Sequence, residues 1–362
     1  MERSKRGHGH IFPSLYTGTC SGLVPATPDQ RRADKLQEDC EPAMTTATAT
    51  SLFDPISFKL WTTDRQTFVN RLGASFRETG FAVISDHPID QSVIDNGVGA
   101  GKKFFALPDA TKRGYFIPGG GGQRAYTPFA TEVAKGAKAK DLKEFWHVAR
   151  ELPRDHKYAG IMGENLYVAE VPGWKEATHA MFQALDTFGL EVLSAIAMHL
   201  KLPPRFFDET VNNGNSILRM LHYPPQLEPP PEGSVRAGAH EDINVITLLL
   251  GAEEGGLEVL HRNGAWLGVN PPPGSLVVNV GDMLQRLTNH VLPSTTHRVV
   301  NPKPERSRFP RYSTPFFLHF NPDYEIKTLP GCITPERPNR YPEPLLSQDF
   351  LEIRLKEIGL RM

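Results

Sequence analysis

The first part of the chain has the hydrophobic spacing of helices. Apolar residues recur along one face of these segments, and glycine or proline marks their ends. Helices are therefore predicted at 64–79, 90–106, 109–115 and 174–200. The apolar run FAVISD predicts a strand at 81–86. The glycine run Pro118–Gly122 has no following GK[ST], so it predicts a turn or flexible lid and not a phosphate loop.

From residue 216 onward the spacing changes to the alternating or continuous apolar pattern of strands. Eight candidate strands follow one another: ILRMLHY, VRAGAHED, VITLLLG, GLEVLH, GAWLGV, SLVVNV, THRVVN and YSTPFFLHF. Proline, glycine and asparagine turns separate them, which predicts a two-sheet jelly roll with the earlier helices packed outside it. The predicted fold class is mainly β (α+β), and a short helix near 347–358 closes the chain.

The bulk composition excludes several partners. Lys+Arg total 40 and Asp+Glu 41, so a net charge of -1 offers no global field for nucleic acid or an anionic membrane. No apolar run reaches the roughly 18–20 residues of a membrane span. The three cysteines include no CxxC pair, which favours a reducing compartment. We expect a cytoplasmic protein with no nucleic-acid, membrane or protein partner implied.

Residues 1–43 differ from the rest of the chain, because they are polar and have no hydrophobic period. They lack the apolar centre of a secretory signal, and their acidic residues argue against a transit peptide. We interpret them as a disordered or non-native extension, with translation from Met44 as one explanation. The predicted organisation is an N-terminal helical and strand region at 52–205, a β core at 206–325 and a C-terminal segment at 326–362.

The triplet His240-Glu241-Asp242 lies at the end of a predicted strand. Residues i and i+2 of a strand share a face, so His240 and Asp242 point together while Glu241 is expected to face away. His297 follows His240 by 57 residues and begins another strand, which a sheet can bring back beside the first. Two imidazoles with one carboxylate are the ligand set of non-haem iron(II) oxygenases. The remaining histidines, including His319, are assigned to surface or structural positions.

A second pair of polar residues occurs downstream of His297. Arg311 and Ser313 are again separated by two positions on a predicted strand. An arginine fork and a hydroxyl on one face suit a carboxylate that is held bidentately and capped by a hydrogen bond.

Taken together, these motifs resemble a known family. The run 216–322 has, in order, HxD, GGLxV, a tryptophan turn, VNxGDxLxxxTN, SxxHRV and RxS. This order is similar to the catalytic core of the iron(II)/2-oxoglutarate oxygenases, specifically the isopenicillin N synthase-like superfamily. GFAVISDHP and the DLKE segment at 141–144 also resemble the leading region of that family, so the likeness covers roughly residues 52–360.

The resemblance implies a double-stranded β-helix that holds Fe(2+) and uses 2-oxoglutarate and O2 as co-substrates. A small-molecule substrate would be oxidised with release of succinate and CO2, and no catalytic residue is implied beyond the metal ligands. Arg311 and Ser313 would hold the far carboxylate of 2-oxoglutarate, and Tyr223 would contact the same co-substrate. Many plant relatives have asparagine two residues before that tyrosine, whereas this chain has Leu221.

Candidate substrate-contacting residues are Tyr126, Arg219 and Phe317. Four alternatives remain open from the sequence. They are a 2-oxoglutarate-independent oxidase of the isopenicillin N synthase type, an ethylene- and succinate-forming enzyme, a zinc hydrolase, and a catalytically inactive ligand-binding barrel. The zinc hydrolase needs a general base beside the metal, and Glu241 is expected to point away from it.

Overall fold

The computed structural model describes residues 52–119, 122–132, 139–250 and 255–357. The predicted N-terminal extension, residues 1–43, lies outside these ranges, as do residues 120 and 121 of the predicted glycine turn.

Helices occur mainly in the first part of the described chain. The α-helices are α1 (Leu60–Thr63), α2 (Arg65–Thr79), α3 (Gln91–Phe105), α4 (Asp109–Arg113), α5 (Trp174–His199), α6 (Asp208–Val211), α7 (Asp282–Leu287) and α8 (Ser347–Glu357), and short 3-10 turns lie at Pro304–Arg306 and Pro330–Cys332. The ends of α2 follow local sequence signals. The Asp64 carboxylate accepts a hydrogen bond from the backbone N–H of Thr67 (3.2 Å), and Gly80 ends the helix with φ +73°.

The strands are β1 (Ile56–Ser57), β2 (Phe81–Ser85), β3 (Ala125–Thr127), β4 (Glu144–Ala149), β5 (Ile217–Tyr223), β6 (Ala237–His240), β7 (Ile246–Leu250), β8 (Leu257–Leu260), β9 (Trp266–Gly268), β10 (Leu276–Val280), β11 (His297–Val299), β12 (Arg311–Leu318), β13 (Glu325–Ile326) and β14 (Leu345–Leu346). The eight strands predicted after residue 216 correspond to β5 through β12 and are confirmed. Strands β3 and β4 escaped prediction, because every residue in both is buried and neither shows the alternation of a half-exposed strand.

Two sheets form the core. The large sheet has the order β1-β2-β10-β7-β12-β5-β4-β3, and the small sheet has the order β6-β11-β8-β9. Strand β2 pairs with β10, and β4 pairs with β5. Strands from the region predicted at 52–205 therefore extend the sheet of the predicted core at 206–325. This arrangement confirms a mainly β architecture with flanking helices.

Helix α5 covers the outer face of the large sheet. Phe182 of α5 packs edge-on against Phe316 of β12, with ring centroids 5.0 Å apart. Gly189 lies so close to β12 that a Cβ there would be 2.5 Å from Leu318 Cδ1. By length and hydropathy alone α5 could cross a membrane, but 56% of its most apolar window is buried inside the protein. We therefore interpret α5 as the core helix of this layer.

The inner face of the large sheet points toward the small sheet. Phe81, Val83 and Val277 of the large sheet form one buried cluster with Leu257 and Val259 of the small sheet. Because side chains alternate along a strand, the partners of α5 on β12 are the even-numbered residues, and its odd-numbered residues face inward. The functional side chains of β12 and β5 therefore lie between the two sheets.

Candidate metal centre and its cavity

Two imidazoles and one carboxylate converge beside the small sheet. His240 is the last residue of β6, and His297, the first residue of β11, pairs directly with it across the antiparallel ladder. Asp242 follows two residues later, and its Oδ1 lies 3.8 Å from Nε2 of each histidine. The three candidate ligand atoms all lie within 4.8 Å of one another. The structure thus brings together the three side chains that the sequence predicted.

Backbone carbonyls orient both imidazole rings. Nδ1 of His240 lies 2.7 Å from the carbonyl oxygen of Gly238, and Nδ1 of His297 lies 3.0 Å from that of Thr295. A carbonyl oxygen can only accept, so each Nδ1 carries a proton, and Nε2 is the ring nitrogen that is available to a metal ion when the imidazole is neutral. Phe81 packs edge-on against His297, with ring centroids 5.3 Å apart. Both rings are therefore held with a free nitrogen toward the point of convergence.

The carboxylate of Asp242 is oriented by a chain of hydrogen bonds. Its Oδ2 accepts from the Thr247 hydroxyl and from Asn279 Nδ2 (2.8 Å). Asn244 Nδ2 donates to the oxygen of the same hydroxyl (2.8 Å), which directs the Thr247 proton toward Asp242. Oδ1 is left on the side of the two histidines. The sequence patterns did not identify Thr247 or Asn279 as partners, although a polar Asn279 within the apolar run SLVVNV is a signal that could have done so.

The site stabilises the protonation states that a divalent cation requires. Burial, and after it the charge of the neighbouring His297, lowers the pKa of His240 to about 4. Burial by itself would raise the pKa of Asp242, but the two histidines and the hydrogen bonds from Asn279 and Thr247 hold it below its usual value. At neutral pH the carboxylate is therefore ionised and the His240 imidazole is neutral.

A cavity of about 380 Å³ opens beside His240 and Asp242. The His240 side chain is 37% exposed because its ring forms part of this wall. Helix α8 closes another side with Leu351 and Leu355. Arg354 of the same helix forms an ion pair with Asp282 (3.0 Å), which ties α8 to the segment after β10.

Glu241 is among the residues that line the cavity. Its hydrogen-bond partner, Thr296, directly precedes His297, so this contact agrees with the expectation that the Glu241 side chain faces away from the two histidines. The Glu241 carboxylate accepts a hydrogen bond from the Thr296 hydroxyl. It is therefore engaged with a neighbouring side chain.

Two of the three predicted substrate residues, Arg219 and Phe317, line the cavity. Tyr126 is not among the described lining residues. It pairs with Trp146, packs against Phe104 (ring centroids 5.4 Å apart) under the helices, and donates a hydrogen bond to Glu144. Its position on the outer face of the large sheet argues against contact with a substrate in this cavity.

Charged residues of alternating sign run along the cavity wall. Arg219 Nη2 lies 3.3 Å from Glu132 Oε1, and the ammonium of Lys143 lies 3.0 Å from Glu132 and 2.8 Å from Asp141. Burial would raise the pKa of Glu132, but Arg219 and Lys143 lower it to about 2. Burial would likewise lower the pKa of Lys143, but the two carboxylates raise it above its usual value. Glu132 and Lys143 are therefore ionised at neutral pH.

Arg219 is held by aromatic and imidazole neighbours as well. Its guanidinium carbon lies 4.2 Å from the Phe145 ring centre and 5.3 Å from that of Phe317. Its Nε donates to His147 Nε2 (2.6 Å), which requires a neutral imidazole. Burial and the charge of Arg219 lower the pKa of His147 well below its usual value, consistent with that role.

His319, assigned from the sequence to the structural histidines, is also part of the cavity wall. Its Nδ1 donates to the carbonyl oxygen of Phe317 (3.2 Å), and burial lowers its pKa to about 4. The imidazole is thus neutral and oriented like those of the candidate ligands.

The residues predicted to hold 2-oxoglutarate lie on neighbouring strands of the large sheet. Arg311 pairs with Tyr223, and its guanidinium carbon lies 5.0 Å from the centre of the phenol ring. Ser313 is on the same face and pairs with Leu221, so an apolar side chain stands opposite the hydroxyl-bearing residue. A second buried guanidinium, Arg236, lies 5.8 Å from the Tyr223 ring, and no sequence pattern predicted it.

Lys143 lines the cavity beside the metal centre, together with its ion-pair partners Glu132 and Asp141. The described lining of the 380 Å³ cavity does not include Arg311, Ser313 or Tyr223.

Comparison with known protein families finds two matches. A profile described as the 2OG-Fe(II) oxygenase superfamily matches residues 214–320. A profile described as the N-terminal region of non-haem dioxygenases in morphine synthesis matches residues 54–170. The first match contains both candidate histidines and Arg311.

Individual relatives extend the likeness over most of the chain. The 2-oxoglutarate-Fe(II) type oxidoreductase hxnY of Emericella nidulans is 34% identical over 298 residues, which are 80% of this chain and 84% of that protein. The crystal structure of a 2OG-Fe(II) oxygenase family protein from Caulobacter crescentus is 57% identical, with a TM-score of 0.80 over 86% of this chain and 100% of that one. A full-length Neurospora crassa protein, crystallised in complex with alpha-KG and thymine, is 30% identical, with a TM-score of 0.74 over 84% and 96% of the two chains.

Proposed function

The chain belongs to the 2OG-Fe(II) oxygenase superfamily, and on that premise we propose that His240, Asp242 and His297 hold its iron(II). The protein is an oxidoreductase, a non-haem iron(II)- and 2-oxoglutarate-dependent dioxygenase. When bound, the iron and 2-oxoglutarate together supply the oxidation of substrate by dioxygen, with release of succinate and CO2. The contribution of the chain is to bind, orient and enclose these groups.

One observation carries the assignment of the ligands, namely the convergence of one ligand atom each from His240, Asp242 and His297 within 4.8 Å. Two imidazoles and one carboxylate leave further positions open on a metal ion, which suits iron(II) and a chelating co-substrate. The carbonyl oxygens behind both rings and the donors behind Asp242 supply the outer contacts such ligands need. The residues therefore fit the ion.

We assign the far carboxylate of 2-oxoglutarate to Arg311 and Ser313, with Tyr223 beside it. Buried guanidinium groups favour an anionic ligand, because an added counter-charge offsets part of the cost of burying them. Arg236, 5.8 Å from the Tyr223 ring, adds a second positive charge to the same region.

The substrate is a small molecule, and we propose that it is an uncharged ring with hydrogen-bonding edges. The cations that line the cavity are already paired: Arg219 and Lys143 pair with Glu132 and Asp141, and Arg354 pairs with Asp282. An anionic substrate would therefore meet no unpaired cation among the described lining residues. Thymine, present in the Neurospora crassa structure, is a molecule of the proposed kind.

Individual side chains supply the contacts for such a ring. Phe317 offers an aromatic face, Arg219 offers N–H donors, and His319 offers a neutral imidazole. Leu351 and Leu355 of α8 exclude water from the open side. Substrate enclosed in this way lies beside His240 and Asp242.

Anaerobic titration of the metal-free protein with iron(II) and then 2-oxoglutarate tests the proposal. Chelation of iron(II) by the keto acid gives a visible charge-transfer band. We expect this band in the wild type, its loss in His240→Ala, and a weaker band at equal 2-oxoglutarate in Arg311→Met. His261→Gln is a matched control, because that histidine contacts Glu78 and is not one of the three candidate ligands, so it should leave the band unchanged. A wild type without a band would refute the proposed use of 2-oxoglutarate.

Product analysis in air separates the remaining alternatives. Succinate formed in step with oxidised substrate supports the dioxygenase. Oxygen uptake without 2-oxoglutarate would indicate the oxidase, and ethylene release would indicate the ethylene-forming reaction. Binding of iron and 2-oxoglutarate without turnover of any ring in a panel of uncharged heterocycles would indicate an inactive barrel. The cytoplasmic location and the absence of nucleic-acid, membrane and protein partners stay predictions.

A further inference from the structure

The strand that carries His240 is the edge strand of the small sheet. In the order β6-β11-β8-β9, strand β6 has a sheet partner on one side. Its register with β11 shifts between the pair His297–His240 and the pair Val299–Ala237, which marks a bulge at this point. An edge strand with a bulge holds a metal ligand in a less fixed position than a central strand does. The backbone N–H and C=O groups on its open side have no partner within the sheet.

The segment before β4 supplies contacts on the open side of β6. The backbone N–H of Gly238 donates to Asp141 Oδ1 (2.9 Å), and the N–H of Leu142 donates to the carbonyl oxygen of Val235 (3.0 Å). The Asp141 side chain is buried, and its other oxygen accepts from Lys143 (2.8 Å). Each oxygen of the carboxylate therefore has its own partner, so the orientation of the group is determined.

Gly238 connects this carboxylate to the metal ligand. Its N–H is held by Asp141, and its carbonyl oxygen accepts from His240 Nδ1 (2.7 Å). A shift of the Gly238 backbone would move the acceptor that determines the orientation of the His240 ring. We propose that Asp141 is a positioning residue for the metal centre, acting on His240 through the backbone of Gly238. This inference rests on the proposed iron(II) site.

The placement of Asp141 in a buried charged network agrees with that role. Asp141, Lys143, Glu132 and Arg219 alternate in sign, and a buried network of this kind adds little net stability over apolar packing. The network instead fixes the position of the Asp141 carboxylate between the cavity wall and β6. Asp141 is the member of the network that hydrogen-bonds to the strand of His240.

Iron(II) affinity of full-length, metal-free variants tests the inference, measured by anaerobic calorimetry. We expect Asp141→Ala to weaken iron(II) binding by about 10- to 100-fold, the usual effect of losing an outer contact of a ligand. Asp141→Asn keeps an acceptor oxygen for Gly238 and removes the charge, so its affinity should stay within about threefold of wild type. Asp141→Glu keeps the charge but displaces the acceptor by one methylene, so it should bind iron(II) more weakly than Asp141→Asn.

Glu132→Gln is the matched control, because it removes the other ion pair of Lys143 and leaves the contact between Asp141 and Gly238 in place. We expect its iron(II) affinity to equal that of the wild type. The absorption of bound cobalt(II) gives a second readout, and its band positions should change in Asp141→Glu and not in Glu132→Gln. If Asp141→Ala does not fold, the relative iron(II) affinities of Asp141→Asn and Asp141→Glu still test the inference.

Three results would overturn the inference: unchanged affinity in Asp141→Ala, tighter binding by Asp141→Glu than by Asp141→Asn, or equal losses in Asp141→Ala and Glu132→Gln. The last two results would indicate that iron(II) affinity depends on the charge of the network and not on the contact with Gly238. Failure of the wild type itself to bind iron(II) would instead refute the proposed function.

Discussion

Replacing Gly80 with alanine tests how closely helix α2 approaches the segment that holds His297. Gly80 ends α2 with φ +73°, and its carbonyl oxygen accepts from the backbone N–H of Val280. A Cβ at this position would lie 2.4 Å from Thr295 Oγ1 and 2.5 Å from the carbonyl oxygen of Pro293. The carbonyl oxygen of Thr295 is the acceptor for His297 Nδ1. Substitution should therefore perturb both stability and the metal centre.

The expected magnitude has two parts. The left-handed backbone costs an alanine about 1–2 kcal/mol, of which a more restricted unfolded chain offsets about 0.4–1 kcal/mol. Overpacking against the 293–295 segment adds about 1–3 kcal/mol, because one of the two contacts is with a backbone oxygen that cannot rotate away. We expect Gly80→Ala to lower the free energy of unfolding by about 1–5 kcal/mol in total, from these ranges.

Gly173 provides a matched control for this substitution. Its φ is +75°, but a Cβ there would meet no atom within 4 Å. Urea unfolding of the metal-free proteins should show a larger loss in Gly80→Ala than in Gly173→Ala, the difference being about 1–3 kcal/mol. Iron(II) affinity should fall in Gly80→Ala alone. Equal losses of stability in the two variants would refute the argument from close approach.

Three further predictions concern the site. Thr247→Val removes a donor to Asp242 while preserving shape, so iron(II) affinity measured by anaerobic titration should fall about 10- to 100-fold; wild-type affinity would contradict this role. Arg311→Met removes charge-assisted hydrogen bonds worth about 1.5–3 kcal/mol, so the KM for 2-oxoglutarate should rise about 10- to 100-fold, with kcat largely restored at saturation. Succinate formation measures both constants, and an unchanged KM would exclude the contact. Burial lowers the pKa of His319 to about 4, so the unfolded chain binds more protons between pH 4 and 6.5 and stability rises with pH in that window. His319→Gln should remove up to about 3 kcal/mol of this rise in urea unfolding at several pH values, and an unchanged slope would contradict it.

Much of the secondary structure could be predicted because it depends on local pattern. The caps Asp64 and Gly80 and the apolar spacing between them define α2 without reference to the rest of the molecule. The eight core strands likewise alternate or run apolar between turn residues. Strand β4, by contrast, is buried on both faces and carries the charged Glu144, which pairs with Lys112 under the helices. Its sequence lacks a periodic signal, so only its pairing with β5 identifies it.

The candidate site likewise has a part that the sequence predicts and a part that it does not. The i, i+2 spacing of His240 and Asp242 indicated a shared direction, and the motif order indicated His297 as their partner. The outer contacts at Gly238, Thr247 and Asn279 carry no such spacing. They arise where separate strands meet, and through-space distances of this kind cannot be read from positions along the chain.

The same limit explains why Arg219 and Tyr126 looked equally good as substrate residues. Strand alternation assigns Arg219 to one of two faces, but it does not say which face meets the helices and which meets the small sheet, and no strand was predicted around Tyr126. The sequence alone therefore determined the longer helices, the eight core strands, the candidate ligands and the chemistry they share. Tertiary packing decided that α5 covers the face opposite the cavity, that His297 pairs with His240, and that buried charges connect Arg219 to the strand of the metal centre. Each of these features depends on contacts between residues far apart in the chain.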